Sequence, residues 1–364
     1  MNICMLSELF YPFMLGGAER RYYEIAKRLA KRHDITVYAL NLDGSPRKEI
    51  VDGIRIIRVG AKHTLNRRRL PPLATYPLAI LKALASDYDI FDANQGISSF
   101  SGFLRPLTKR PIVATFHDIY WNQWNDYFSF PFSSIGKTME FLWSKASYSK
   151  IMAVSPNTAK KLIRLGFKPP IEVIPSGVDN DFIKKIKPVK DETSVVFVGR
   201  LVKYKNIDNL LRAFKAVQNE HPKYKIKIVG TGPEEGNLKK LAKFLNINAE
   251  FYGFVSEEEK IRIIKSSNVL VNPSSVEGFG LILIEAMACG TPVVAKNLDT
   301  YFFCNKSNSV LYNNDEELEN ILIELMENKN MTKKLENGGT ETSKKYSWDN
   351  VTKQVEDLYT RVLT

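Results

Sequence analysis

The feature that most constrains the fold is an alternation of short apolar runs with amphipathic segments. Residues 2–6 form an apolar run, and residues 18–31 carry apolar side chains at helical spacing. A further helix is predicted at residues 77–85, and further strands are predicted at residues 35–40, 54–59, 90–93, 112–116 and 151–154. This alternation is typical of a parallel sheet with helices on both faces, because each parallel crossover usually contains a helix.

The alternation restarts in the second half. Strands are predicted at residues 171–174, 194–198, 224–229, 250–252, 269–272 and 293–295, and helices at 208–218, 237–245, 257–266 and 281–288. Residues 183–193 are rich in Lys and Pro and lack apolar periodicity, which predicts a linker. We therefore predict two doubly wound, Rossmann-like α/β domains, residues 1–182 and 194–345, facing each other across a ligand-binding cleft.

Charge and cysteine content narrow the class of protein. The net charge is +12, and residues 1–180 hold 25 Lys and Arg against 15 Asp and Glu. Cys4, Cys289 and Cys304 form neither a disulfide framework nor a zinc pattern, which indicates free thiols in a reducing compartment. No apolar run approaches the ~18 residues of a spanning helix, and the first residues lack a signal peptide's basic region. We therefore expect a cytoplasmic protein.

Basic clusters in the N-terminal half suggest a partner. One joins Lys62 to Arg67-Arg68-Arg69 beside apolar residues at 70–78, and the other contains Lys160, Lys161 and Arg164. Basic and apolar residues together suit an anionic lipid surface, at which the protein would be peripheral on the inner face of the membrane. A solvated loop and helix face is the alternative interpretation. Nucleic acid is not expected, since no recognition motif accompanies the charge.

The segment from Glu277 to Glu285 carries the sharpest chemical signal. It follows a predicted strand, contains Gly278 and Gly280, and opens a helix. Such a loop favours phosphate, because free N–H groups and the positive end of the helix dipole lie there. Carboxylates repel phosphate, so we expect the two glutamates to accept hydrogen bonds from hydroxyl groups, such as those of a sugar and a ribose.

Two cations follow the strand predicted at residues 194–198. Arg200 lies just past its carboxyl end, where open α/β sheets bind ligands, and Lys205 follows in the same loop. Arg offers a planar fork and Lys a point charge, so this pair can bind a diphosphate. Surface cations are the alternative.

The N-terminal half offers an opposing set of candidates. Gly16-Gly17-Ala18-Glu19 opens a helix after the first strand and is a candidate phosphate loop. His117 ends another strand, where an imidazole can donate a hydrogen bond or carry a proton, although it could instead be a structural histidine. Asn94-Gln95-Gly96 is a further candidate substrate contact.

Residues 230–236 imitate a dinucleotide-binding fingerprint, with Glu250 about twenty residues further on. A dinucleotide fingerprint is expected after the first strand of its domain, whereas this segment follows the second. Pro233 also lies within the turn. We therefore do not expect a dehydrogenase.

Together these segments resemble the GT4 glycosyltransferases of the GT-B fold. The resembling motifs occur in family order and cover most of the chain, at residues 16–19, 115–118, 154–155, 174–179, 198–201, 230–233, 252–255 and 277–294. The resemblance implies retaining transfer of a sugar from a nucleoside-diphosphate donor, with no metal and no cofactor. We expect a UDP- or GDP-hexose as donor and a lipid-linked or polysaccharide-type glycan as acceptor.

The resemblance also implies individual roles. Arg200 and Lys205 would hold the diphosphate and stabilise the charge on the leaving group. Glu277 would bind donor-sugar hydroxyls and Glu285 the ribose, while the backbone around Phe254 and Val255 would meet the base. Gly16 would let the first domain close, His117 would contact the donor sugar, and a final helix at about 346–364 would rejoin the first domain. The catalytic candidates are thus Arg200, Lys205, Glu277 and His117, and the nucleotide-sugar-binding candidates are Gly16, Gly17, Gly230, Phe254, Val255, Gly278, Phe279, Gly280, Leu281 and Glu285.

Two positions depart from the family pattern. Lys205-Asn206 stands where Lys-Gly is usual, and the strand ending at residues 92–95 lacks a histidine often found there. Retention rests on the resemblance alone. The alternatives are a GT-B phosphorylase, a synthase making a soluble product, and a non-catalytic nucleotide-sugar-binding protein.

Overall fold

The structure is a computed structural model that describes residues 1–14, 16–42, 44–63, 75–121, 123–127, 130–188 and 193–364. It divides into two compact units. The first contains Met1–Ser176 together with Trp348–Thr364, and the second contains Gly177–Ser347.

A largely parallel sheet forms the centre of each unit. The strands of the first unit are β1 (Asn2–Leu6), β2 (Asp34–Leu42), β3 (Lys48–Val51), β4 (Ile54–His63), β5 (Ile90–Asn94), β6 (Ile112–Phe116), β7 (Lys150–Ala153) and β8 (Ile171–Val173). They pair in the order β3-β4-β2-β1-β5-β6-β7-β8, and β3 runs antiparallel to β4. The strands of the second unit are β9 (Ser194–Val198), β10 (Lys225–Val229), β11 (Ala249–Gly253), β12 (Val269–Asn272), β13 (Val293–Lys296) and β14 (Val310–Tyr312). They pair in parallel in the order β11-β10-β9-β12-β13-β14.

Helices connect the strands. They are α1 (Gly17–Leu29), α2 (Tyr76–Leu84), α3 (Trp124–Tyr127), α4 (Phe132–Trp143), α5 (Pro156–Arg164), α6 (Asn180–Lys185), α7 (Ile207–Glu220), α8 (Glu235–Phe244), α9 (Glu257–Ser266), α10 (Leu281–Ala288), α11 (Asp315–Glu327), α12 (Lys329–Lys345) and α13 (Trp348–Leu363). Two 3-10 helices span Ile97–Leu107 and Lys203–Lys205. In the part of the chain that the structure describes, no helix is both long and apolar enough to cross a bilayer.

The central strands explain the apolar runs of the sequence. β5 and β6 are buried at every residue, because helices cover both faces of a doubly wound sheet. Phe91 and Phe116 lie in the core of the first unit, and Phe197 and Phe214 lie in the core of the second. The predicted fold class, two doubly wound α/β units, is confirmed.

The C-terminal helix α13 belongs to the first unit and is held there by a buried polar cluster. Tyr359 Oη donates to Asp92 Oδ2 at 2.5 Å, and Tyr22 Oη donates to Asp92 Oδ1 at 2.6 Å. Burial raises the pKa of Asp92, although these hydrogen bonds and the charge of Arg21 oppose the rise. At the surface, Arg28 Nε lies 3.0 Å from Asp349 Oδ1.

The division between the units differs from the predicted boundary at residue 182. It lies after Ser176, because α6 packs within the second unit. Lys265 Nζ donates to the carbonyl oxygens of Ile183 and Ile186 at 2.6 and 2.7 Å, which fixes the end of α6. The predicted linker therefore begins inside a helix. Its residues 189–192 lie outside the described residues.

Candidate active site

The loop between β12 and α10 carries Glu277, Gly278 and Gly280. β12 is an interior strand, between β9 and β13. The loop therefore lies at the carboxyl edge near the middle of the sheet, not beside an edge strand. Gly280 has φ 88° and ψ 47°, and a Cβ there would lie 2.6 Å from the Tyr301 ring. Both the backbone and the packing therefore require glycine. α10 begins at Leu281, so its free N–H groups lie at this loop.

Glu277 is half-buried in that loop and is held ionised. Its Oε1 accepts hydrogen bonds from Lys205 Nζ and from Asn272 Nδ2, the latter at 3.2 Å. Burial alone would raise the pKa of Glu277. The charge of Lys205 and hydrogen bonds from Lys205, Asn272 and Ser274 outweigh burial and hold this pKa below its usual value. An ionised carboxylate only accepts hydrogen bonds, so Glu277 has the chemistry to bind hydroxyl groups.

The loop between β9 and α7 carries both predicted cations. Arg200 is exposed, and its Nη2 donates to Tyr204 Oη at 2.7 Å. Lys205 is half-buried, with Nζ 5.7 Å from the centroid of the Tyr204 ring. Ser275 N donates to the Tyr204 carbonyl at 2.9 Å, which ties this loop to the Glu277 loop. The structure therefore brings Lys205 and Glu277 into contact.

Asn206, the departure from the family's Lys-Gly pattern, adopts a left-handed conformation with φ 48° and ψ 40°. Glycine adopts this region freely, and asparagine is one of the few other residues that visits it routinely. Asn206 Nδ2 also donates to the Pro273 carbonyl at 3.1 Å. The substitution thus keeps the backbone path and adds a second tie between the two loops.

Gly230 lies where the β10–α8 turn meets the Arg200 loop. Its φ is 129°, and a Cβ there would lie 1.9 Å from the carbonyl oxygen of Gly199. Leu201 N donates to the Thr231 carbonyl at 3.0 Å, which joins the two turns. Two of the three glycines that imitate a dinucleotide fingerprint, Gly230 and Gly232, are therefore explained by close approach between two backbone segments, whereas a Cβ at Gly236 would meet nothing within 4 Å. Gly230 supports the Arg200 loop.

Glu285 lies in α10, and its side chain is only 7% exposed. Lys260 Nζ of α9 donates to Glu285 Oε2 at 2.7 Å and also lies 2.9 Å from Glu257 Oε1. The sequence predicted Glu285 as a hydroxyl acceptor but gave no sign of Lys260, because α9 reads as a helix rich in both charges. The ion pair fixes the orientation of the Glu285 carboxylate.

Three further candidate binding residues of the second unit differ in how far their side chains are exposed. Phe254 is exposed after β11, and Val255 is half-buried beside it. Phe279 is buried, with its ring centroid 5.2 Å from that of Phe303 and 6.1 Å from that of Tyr346. The Phe279 side chain therefore holds the loop in place.

In the first unit, Gly16 and Gly17 open α1 and are both exposed. Gly16 has extended backbone, with φ −161° and ψ −174°, which any residue adopts. A Cβ at Gly16 would lie 3.3 Å from Glu19 Oε2, the end of a flexible side chain that can move aside, so neither backbone nor packing requires glycine there. The absence of side chains leaves the first N–H groups of α1 accessible.

His117 follows β6, and a chain of hydrogen bonds fixes its tautomer. Ser7 Oγ donates its single hydrogen to the Leu9 carbonyl at 2.7 Å, so it accepts from Asn94 Nδ2 at 3.0 Å. The Asn94 amide oxygen therefore points at His117 Nε2, 2.8 Å away. That oxygen can only accept, so Nε2 carries the proton and Nδ1 carries the lone pair.

The surroundings of His117 keep it neutral. Burial and the charge of nearby Arg21 lower its pKa to about 3. Its backbone N–H donates to Gln95 Oε1 at 2.7 Å, and Gln95 Nε2 donates to the Asp118 carbonyl at 2.6 Å. Asn94 and Gln95, predicted as substrate contacts, thus both support His117. The sequence signal for this support was their position at the carboxyl end of β5, the strand that pairs with β6.

Of the two predicted basic clusters, the structure describes only the one on α5. The triplet Arg67-Arg68-Arg69 and the side chain of Lys62 lie outside the described residues. Lys160 and Arg164 are exposed on α5, whereas Lys161 Nζ pairs with Asp118 Oδ1 at 2.7 Å.

Each unit is built on a largely parallel sheet, and the cations and carboxylate of the second unit lie at the carboxyl edge of its sheet, where open α/β sheets bind ligands. The sequence model of Glycosyltransferase Family 4 matches residues 15–182, and that of Glycosyl transferases group 1 matches residues 178–342. The chain therefore belongs to the GT4 glycosyltransferases of the GT-B fold, as its motifs predicted.

Relatives and solved structures agree with this family. The phosphatidylinositol N-acetylglucosaminyltransferase GPI3 subunit of Saccharomyces cerevisiae is 25% identical, over 99% of this chain and 83% of that one. The alpha-monoglucosyldiacylglycerol synthase of Acholeplasma laidlawii is 28% identical, over 55% of this chain and 54% of that one.

The structural comparison shows the same fold. Sucrose-phosphate synthase from Thermosynechococcus elongatus superposes with a TM-score of 0.84 and 21% identity, over 99% of this chain and 98% of that one. Anabaena Alr3699/HepE in complex with UDP and glucose superposes with a TM-score of 0.77 and 19% identity, over 99% and 100% of the two chains.

Proposed function

We propose that this glycosyltransferase transfers a hexose, with retention and without a metal ion, from a UDP- or GDP-sugar to a lipid-linked or polysaccharide-type acceptor at the inner face of a membrane. Arg200 and Lys205 bind the diphosphate, and their charges stabilise it as the bond to the sugar breaks. Glu277 accepts hydrogen bonds from donor-sugar hydroxyls, and Glu285 accepts them from the ribose. His117 offers Nδ1 to a sugar hydroxyl.

The contact between Lys205 and Glu277 carries this proposal. A donor places its diphosphate directly beside its sugar, so the protein needs a cation and a hydroxyl acceptor side by side. Lys205 also offsets the repulsion that an ionised Glu277 would exert on the diphosphate. Arg200, on the same loop as Lys205, supplies a second positive charge.

The names of two relatives support a lipid acceptor, since one refers to a diacylglycerol and the other to phosphatidylinositol. The likeness to a structure holding UDP and glucose makes UDP-glucose the first donor to test. These supports are independent of the Lys205–Glu277 contact.

A thermal-shift screen of UDP- and GDP-sugars tests the donor. A ligand at 100 times its Kd stabilises a protein by about 2.7 kcal/mol, and the largest shift identifies the donor. Labelled donor is then incubated with lipid and glycan acceptors in the presence of a chelator, and the anomeric configuration of the product is read by NMR. Label in the lipid or glycan fraction with the donor's configuration is expected. Inversion, or activity abolished by the chelator, contradicts the mechanism.

The likeness to sucrose-phosphate synthase favours one alternative, a synthase with a soluble acceptor. In that case the label remains in small water-soluble products. A phosphorylase would release sugar phosphate from a glycan in the presence of inorganic phosphate without nucleotide. A binding protein would give the thermal shift with no turnover of any acceptor.

A further inference from the structure

Helix α4 carries an apolar stripe that faces outward. Phe132, Ile135, Met139 and Leu142 are spaced three, four and three residues apart, which places them along one face of a helix. In a globular protein such a stripe normally packs on the core. Here Met139 packs in part against the core, whereas Phe132 is 50% exposed, Ile135 49% and Leu142 38%.

The opposite face of α4 is the packed one. It consists of Ser133, Gly136, Glu140 and Trp143, all buried. A Cβ at Gly136 would lie 2.4 Å from the Trp124 ring, so this face packs closely against α3. The orientation of α4 is therefore fixed by Trp143, which lies in the core of the first unit, together with small and polar residues, and most of its apolar stripe is left at the surface.

Further apolar side chains extend this surface. Phe141 is 46% exposed on the flank of the stripe, and Phe130 is exposed just before the helix. We call Phe130, Phe132, Ile135, Phe141 and Leu142 the α4 surface.

Within residues 130–149, the stretch that carries the α4 surface, the charges that reach the surface are of one sign. Between residues 130 and 149, the acidic side chain is Glu140 alone, which is buried and accepts from Tyr120 N at 2.8 Å. Lys137 and Lys145 lie on or beside the helix, and Lys145 Nζ stands 4.8 Å from the centroid of the Phe141 ring. Apolar side chains flanked by lysines, without an exposed carboxylate in that stretch, match the boundary between acyl chains and anionic headgroups.

We infer that the α4 surface lies in the interface of an anionic lipid bilayer, with Lys137 and Lys145 at the level of the lipid phosphates. This inference rests on the proposed function, because an enzyme with a lipid-linked acceptor must reach that acceptor at a membrane. It places the membrane contact on α4, whereas the sequence had placed it on the basic clusters.

Vesicle flotation tests the inference on the full chain. Vesicles of phosphatidylcholine alone are compared with vesicles that also contain phosphatidylglycerol. We expect wild-type protein to float with the mixed vesicles, and the double variant Ile135→Ser/Leu142→Ser to bind them about tenfold more weakly. The double variant Lys137→Gln/Lys145→Gln should lose most of the preference for anionic lipid, at about fivefold per lysine. Phe244→Ser, which changes an exposed phenylalanine of the second unit, is the matched control and should bind as wild type.

Equal binding of wild type and Ile135→Ser/Leu142→Ser to mixed vesicles overturns the inference, as does negligible wild-type binding. Sedimentation velocity identifies self-association, and a dimer that the same double variant dissociates would assign the α4 surface to a second copy instead. The nucleotide-sugar thermal shift is measured on each variant. A retained shift shows that the variant is folded and that donor binding stands apart from the membrane result, whereas a missing wild-type shift overturns the proposed function alone.

Discussion

His117 Nε2 donates to Asn94 Oδ1 across 2.8 Å, and the direction of this hydrogen bond is set three groups away from His117, at the Leu9 carbonyl. The relay passes through Ser7 and the Asn94 amide, each of which has one way to satisfy its partners. His117 is thereby fixed as a neutral imidazole that accepts through Nδ1. The sequence had left open whether it donates or carries a proton.

The first prediction concerns this tautomer. Long-range ¹H–¹⁵N spectra of histidine-labelled protein should show His117 as the Nε2–H tautomer from about pH 5 to about pH 8, because its pKa is about 3. Asn94→Leu removes the acceptor, so both tautomers should appear and transfer should fall about tenfold. Asn94→Asp restores an acceptor and should restore the single tautomer while raising the pKa of His117. The spectrum of His117→Gln assigns the signal. A single Nε2–H tautomer in Asn94→Leu would contradict the relay.

A second prediction concerns the close approach at Gly230. In Gly230→Ala the new Cβ meets the Gly199 carbonyl, so the Arg200 loop must move. We expect the free energy of unfolding to fall by about 1–3 kcal/mol and donor affinity to fall at least about tenfold. Gly236→Ala in α8 is the control, since a Cβ there meets nothing within 4 Å. Calorimetric titration of the donor compares the two, and equal affinities would show that Gly230 does not support the site.

Asn206 gives a third prediction, about stability. Asn206→Ala must hold alanine in the left-handed region, which costs about 1–2 kcal/mol. It also loses the hydrogen bond to Pro273, worth about 1 kcal/mol. Asn206→Gly loses only the hydrogen bond. Urea unfolding should therefore rank the free energies as wild type above Gly above Ala. An alanine variant as stable as the glycine variant would remove the conformational explanation of this position.

The pH dependence of stability gives a fourth prediction. Burial raises the pKa of Glu8 from 4.5 to about 7, against hydrogen bonds that include one from Ser98 N. The folded protein therefore binds a proton that the unfolded chain has lost, so this group's contribution falls as pH rises between those two values, by up to about 3 kcal/mol. Glu8→Gln cannot ionise, and its unfolding free energy should fall less over that range. Glu316→Gln, at an exposed position, is the control and should keep the wild-type slope.

Much of the fold could be predicted from the sequence because local patterns determine it. Apolar runs predicted the strands of both sheets except β3 and β14, and the glycines after the strand at 269–272 predicted the Glu277 loop. β3 was missed, because a short antiparallel edge strand with exposed residues has no continuous apolar run. α4 was missed as well, although its apolar residues stand at helical spacing.

The sequence predicted the individual residues of the candidate site but not the contacts between them. Lys205 and Glu277 meet because β9 and β12 are neighbours in the sheet, and strand order is a long-range property that motif spacing does not encode. The pairing of Glu285 with Lys260 likewise depends on how α9 packs beside α10. The roles of individual side chains follow from these contacts.

The central claim is that Arg200 and Glu277 serve the donor in the transfer reaction. The most direct measurement is kcat/KM for the donor that the thermal-shift screen identifies, in Arg200→Ala and Glu277→Ala. Each variant removes a charged hydrogen-bonding group, worth about 1.5–3 kcal/mol, so losses of about tenfold to about a hundredfold are expected. Arg212→Ala and Glu316→Ala change exposed residues of the same unit and should retain wild-type activity. Wild-type kcat/KM in both Arg200→Ala and Glu277→Ala would contradict the assignment of the site.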